Sequence, residues 1–171
     1  MGEIEDFEKE KKQRINNFRK DEKFHEHSYR WLEESMRKKY VYNFSFLGRP
    51  IIQYPQDIVA MQEIIWSVQP DLIIETGIAH GGSLMLSASM LEINASCGGH
   101  KNARVLGLDI DIREHNRNLI NAHPMSKRIN MIEGSSISSE VIEKVNDFAK
   151  DKKKILVVLD SNHTHAHVEA E

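Results

Sequence analysis

The chemistry most open to reading lies in one apolar run, the turn that follows it, and the acidic residues around them. Leu72-Ile73-Ile74-Glu75-Thr76-Gly77-Ile78-Ala79-His80-Gly81-Gly82-Ser83 passes from a strand-like segment through a glycine-rich turn into the start of a helix. Glycine suits such a turn because its backbone adopts φ > 0 and admits a ligand where a Cβ would block it. A second acidic strand end follows one strand-helix unit later, at Asp109. Acid, glycine loop and acid in this order are the means by which doubly wound sheets hold nucleoside cofactors. Gly77, Gly81 and Gly82 would let the backbone approach the ligand. Asp109 can accept hydrogen bonds from both ribose hydroxyls, and Ser135 can bond an adenine edge. The same residue types also serve as helix caps and turn formers, so Glu75, Asp109, Ser135 and Ser136 each have a purely structural alternative. The loop lacks a full G-x-G-x-x-G pattern, which argues against pyrophosphate. A looser loop suits S-adenosylmethionine, which has no phosphate.

Four strand-helix units must position these groups. Strands are expected at 71–75, 104–109, 128–133 and 154–159, with helices near 82–95, 113–121 and 139–150. Short apolar strands alternating with amphipathic helices indicate a Rossmann-like α/β fold, a doubly wound parallel sheet covered on both faces. A further helix opens at Pro55, its apolar face formed by Ile58, Met61, Ile65 and Val68, with Met61 and Trp66 read as packing residues; Pro70 ends it. Phe46-Leu47-Gly48-Arg49-Pro50 reads as a break before that helix. Residues 1–45 form a charged extension with sparse apolar positions at Ile4, Phe7, Ile15, Phe18, Trp31 and Leu32, which predicts one or two solvent-rich helices. Such helices can pack on the domain or serve a homo-oligomer as an arm.

Size and composition set the limits. The 171 residues suffice for one domain with a real core, and 40% hydrophobic content with a net charge of −3 is ordinary for a globular protein. That charge gives no reason to expect nucleic acid as a partner. A lone cysteine, Cys97, cannot form an internal disulfide and fits a reducing cytoplasm. The apolar runs fall well short of the roughly 20 residues that a membrane helix needs, so no membrane span is expected. After Asp160 the sequence runs through His163, His165 and His167 and stops inside an opening helix. Four strands alone would leave an exposed edge and half a binding crevice, so the expected picture is a fold truncated after its fourth strand, the N-terminal part of a longer protein.

Five blocks, taken in order, resemble one family: GRPIIQYPQD (48–57), ETGIAHGGS (75–83), LDIDIREHN (108–116), EGSS (133–136) and LDSNHTHAHV (159–168). Residues 46–171 look like the cephalosporin hydroxylase family, which includes rhamnosyl O-methyltransferases. The resemblance implies the class I S-adenosylmethionine-dependent methyltransferase fold and methyl transfer to a small-molecule or sugar hydroxyl. It further implies that Glu75, Gly77, Ala79 and Ser83 line the S-adenosylmethionine site, with Asp109 at the ribose and Ser135 at the adenine. Asp160 would be a ligand of Mg²⁺, as in catechol-type O-methyltransferases. Mg²⁺ prefers oxygen donors in octahedral geometry, which suits a carboxylate and substrate oxygens better than imidazole.

The histidines have their own weighing. With a helix starting near Thr164, His163 and His167 stand four apart on one face while His165 points elsewhere. One of the two is expected to act as general base near the acceptor hydroxyl, since imidazole titrates close to neutral pH. Asp160 with His163 and His167 also resembles a two-histidine, one-carboxylate iron site, which is the alternative, oxygenase reading. A third alternative is a chain that keeps only the cofactor half-site.

Overall fold

A computed structural model describes residues 2–171 and divides them into two compact units, one reaching Val41 and one running from Tyr42 to Glu171. The first holds two helices, α1 (Glu3–Phe18) and α2 (Glu22–Arg37). Asp21 caps α2 by accepting a hydrogen bond from the Phe24 N–H at 2.9 Å, and Phe18 stacks on Phe24 across the turn with ring centroids 5.2 Å apart. No residue of α1 is buried.

The second unit begins with an antiparallel hairpin, β1 (Phe44–Phe46) and β2 (Arg49–Ile51), where the sequence suggested only a break. Its turn residues Leu47 and Gly48 both have positive φ, the backbone requirement of a two-residue hairpin connection. Then come α3 (Pro55–Val68), β3 (Leu72–Thr76), α4 (Gly82–Ser96), β4 (Arg104–Asp109), α5 (Glu114–Ala122), β5 (Ile129–Glu133), α6 (Ser139–Ala149), β6 (Ile155–Leu159) and α7 (His165–Ala170). Pro55 occupies the first turn of α3, where its missing N–H costs nothing. Ile58, Met61, Ile65 and Val68 face inward as their spacing predicts, and Trp66 is half-exposed at 50%.

The four longer strands form one parallel sheet in the order β5-β4-β3-β6. Alternation along β3 sends Ile73 to one face and Leu72 and Ile74 to the other. On the first face, Ile73 and Val105 pack with Ile65, Leu84, Met85, Ala88, Leu91 and Ile120, contributed by α3, α4 and α5. On the second, Leu72, Ile74, Leu106 and Leu108 meet Val141 of α6. Helices on both faces make the sheet doubly wound. Strand β6 is covered on one face only: Leu156 and Val158 pack against the core, while Ile155, Val157 and Leu159 are exposed. No helix among the described residues is long and apolar enough to cross a membrane.

All four parallel strands point the same way, so Thr76, Asp109, Glu133 and Leu159 bring the segments after them to one edge of the sheet. The site is built at this edge.

Candidate functional site

A cleft of about 590 Å³ opens at the carboxyl edge. Thr76, Gly77 and Ala79 form its floor after β3, Asp109 and Ile110 follow β4, Gly134 to Ser136 follow β5, and Asp160 to His163 with His167 follow β6. Tyr42 and Ile52, on either side of the hairpin, complete the wall. Of the residues singled out in the sequence, Gly77, Ala79, Asp109, Ser135, Asp160, His163 and His167 line this cleft together. Glu75, Gly81 and Ser83 do not.

The turn after β3 is tightly tied. The Gly77 N–H donates to the Leu108 carbonyl at 2.8 Å, and Asp109 Oδ2 accepts from the N–H groups of Ile78 at 2.9 Å and Ala79 at 3.3 Å. Asp109 Oδ1 accepts from the Asp111 N–H at 3.2 Å. A carboxylate offers about four acceptor positions, so Asp109 holds the turn and retains capacity toward the cleft. Gly77 has φ +81, and a Cβ there would collide with the Asp160 carbonyl. Only glycine lets β3 and β6 exit side by side at this point. Ser135 and Ser136 are not caps of α6: that role falls to Ser138, whose Oγ accepts from the Val141 N–H. Both serines therefore sit at the cleft without a capping duty.

Glu75 is the penultimate residue of β3 and only 1% exposed. It lies beneath the cleft, and Ser83, in the first turn of α4, donates to its Oε1. Burial pushes its carboxyl up to about 7; the hydrogen bonds from Ser83 and Ser87 oppose this rise and the charge of Asp160 adds to it. Ser83 itself faces a small side crevice of about 20 Å³, lined also by Gln53, Gly77 and Asp160. The Gln53 side-chain oxygen, Oε1, is shielded from solvent and lacks a hydrogen-bond partner among the described residues. Such an orphaned acceptor calls for a ligand or a water.

The histidines separate. Helix α7 starts at His165 with Thr164 as its cap residue, so His163 precedes the helix and shares no face with His167. His163 Nε2 lies 3.4 Å from Asp160 Oδ1 and its side chain is 74% exposed. His167 Nε2 lies 3.3 Å from both Ser136 Oγ and Glu171 Oε1. Exposed His165 faces Glu169. Among the described residues no three metal-binding side chains gather at one point, so Asp160, His163 and His167 do not form the two-histidine, one-carboxylate arrangement. Burial raises the Asp160 carboxyl above the usual range, and His163 opposes the rise.

Tyr42, Ile52, Gln53, Ser161 and Asn162 were not anticipated. Ser161 and Asn162 directly follow Asp160 at a strand end, a position that signals a site. The other three depend on the hairpin, which leaves no periodic trace.

Residues 38–171 match the family described as Rhamnosyl O-methyltransferase/CmcI. Among solved structures, one of CmcI with SAH superposes with a TM-score of 0.50 at 16% identity, covering 74% of this chain and 56% of that one. A CmcI structure with Mg and SAM gives 0.49 at 16% identity over 72% and 47% of the two chains. The O-methyltransferase from Bacillus cereus in complex with SAH gives 0.47 at 17% identity over 81% and 58%. The chain thus spans about half the length of the solved structures it matches, and the first likeness is one of fold. Comparison with curated proteins returns no match.

Proposed function

The chain belongs to the rhamnosyl O-methyltransferase/CmcI family, and from that premise we propose that its strand-end cleft binds S-adenosylmethionine for methyl transfer to a small-molecule or sugar hydroxyl. The observation that carries this reading is the convergence of Gly77, Asp109 and Ser135 on one cleft of a size suited to a small-molecule ligand. Asp109 would accept from the ribose hydroxyls while keeping the Ile78 and Ala79 amides in place. Ser135 would bond the adenine edge, and Ile110, 74% exposed at the rim, offers that ring an apolar contact.

When bound, S-adenosylmethionine would supply an electrophilic methyl group for an acceptor oxygen, with S-adenosylhomocysteine as the leaving group. The work of the protein is then to position the reactants and to take the acceptor proton. His163 is the better placed base: it stands at the cleft beside Asp160, whereas His167 is engaged by Ser136 and Glu171. Asp160 is the residue that would hold Mg²⁺, since one carboxylate completed by water and substrate oxygens is an ordinary Mg²⁺ environment. The metal would lower the pKa of the acceptor hydroxyl. The exposed apolar residues Ile4, Phe7, Ile15 and Phe18 of α1 support self-association through the N-terminal helices, which sedimentation of the chain with and without residues 1–41 tests.

Calorimetric titration with S-adenosylhomocysteine tests the central reading. One site per chain is expected; a folded protein that shows no binding at millimolar ligand overturns it.

A further inference from the structure

Arg49 is a buried cation (9% exposed) that makes no ion pair among the described residues. Burying a charge without a counter-ion is costly unless strong hydrogen bonds replace its water. Here its hydrogen bonds lead to one place. Nε and Nη2 donate to the His80 carbonyl at 2.9 and 2.6 Å, and Nη2 also donates to Asn116 Oδ1 at 2.9 Å. Asn116, itself 6% exposed on α5, passes the tie onward by donating from Nδ2 to the Ala79 carbonyl at 3.3 Å. Hairpin and helix thus grip consecutive carbonyls of the turn after β3 from its outer side, while Asp109 holds the Ile78 and Ala79 amides from the inner side.

The turn requires such a grip. Ala79 has φ +42, a left-handed conformation that a residue with a Cβ keeps only when its surroundings impose it. The packing around the turn agrees. A Cβ on Gly81 would lie 2.6 Å from the Ile120 side chain of α5, and one on Gly82 would lie 2.7 Å from Ile51 Cβ of β2. The hairpin is fastened a second time. His123 Nδ1 accepts from the Met125 N–H, so the proton resides on Nε2, which donates to the Leu47 carbonyl at 3.0 Å.

We propose that Arg49, acting through Asn116 and the Ala79 and His80 carbonyls, is a positioning residue that fixes the shape of the cofactor-facing turn. This rests on the cofactor reading above. Arg49 stays outside the cleft and touches the turn by its backbone alone, so its effect on the ligand is indirect. Lysine can replace it only in part, since a single ammonium lacks the planar fork that meets His80 and Asn116 together.

The test compares wild-type protein with Arg49→Lys, Arg49→Met and Asn116→Ala, reading S-adenosylhomocysteine affinity by calorimetry and backbone exchange of Ile78 and Ala79 by NMR. Asn116→Ala guards against failure of the Arg49 variants to fold. Expected results are affinity weakened by about tenfold in Asn116→Ala and Arg49→Met, with partial recovery in Arg49→Lys. Exchange at Ile78 and Ala79 should accelerate in step, while Leu106 in the sheet centre stays protected. Wild-type protein that takes no ligand sinks the cofactor reading itself. Wild-type protein that binds, alongside folded variants that bind equally and exchange at wild-type rates, sinks only the clamp.

Discussion

Replacing Glu75 by glutamine isolates the cost of a buried carboxyl beneath the cleft. Glutamine keeps the volume and an acceptor oxygen for Ser83, and removes the titration. In the unfolded chain the carboxyl titrates near 4.5; in the folded chain burial lifts it to about 7. A carboxyl raised on folding favours the folded state below the unfolded value, and that contribution is lost as pH climbs through the folded value. At about 1.36 kcal/mol per pH unit, the interval amounts to roughly 3 kcal/mol above pH 7, of which about 2–3 kcal/mol disappear between pH 5 and pH 8. Full burial means solvent screening does not reduce the figure. Urea denaturation followed by circular dichroism at both pH values, on both proteins, gives the double difference in which other titrating groups largely cancel. Glu75→Gln should be the more stable protein at pH 8, with the advantage shrinking toward pH 5. An advantage that is the same at both pH values would refute the argument, because it would mean that Glu75 does not hold its proton near neutrality.

Other perturbations read the same edge of the sheet. Asp109→Ala removes the acceptor for two turn amides and the proposed partner of the ribose, so S-adenosylhomocysteine affinity measured by equilibrium dialysis should fall by about tenfold or more; unchanged affinity would displace Asp109 from the site. Gly77→Ala forces a Cβ into a left-handed position against the Asp160 carbonyl and should cost about 2 kcal/mol or more in urea unfolding, whereas a wild-type midpoint would contradict the geometry. Asp160→Asn should abolish any rise in Tm produced by Mg²⁺ together with S-adenosylhomocysteine. In the wild type that rise should weaken as pH falls, because protons compete for a carboxyl already raised by burial. A Mg²⁺ effect that survives Asp160→Asn excludes Asp160 as its ligand.

The parallel sheet was legible because strands buried on both faces leave continuous apolar runs, and Pro55, Pro70 and Pro124 punctuate the helices between them. Once the strand order is implied, a parallel sheet delivers its carboxyl ends to a single edge, so the sequence alone makes Asp109, Ser135 and Asp160 neighbours. The hairpin could not be read this way. Its strands are three residues each, too short for a period to show, and its importance lies in Arg49, whose partners are 31 and 67 residues away. Glu75 was legible as an acid beside a glycine turn, but not as one facing into the protein: alternation along β3 assigns it a face, and only the packing of α4 shows what covers that face. The histidine spacing misled for a local reason. Helix α7 begins at His165, so the four-residue interval from His163 to His167 crosses a helix start and places the two rings on different partners.

The most direct measurement is a crystal structure of the chain soaked with S-adenosylhomocysteine. Density is expected for the ribose against Asp109 and for the adenine beside Ser135. An empty cleft, or a nucleoside lodged elsewhere on the molecule, would contradict it.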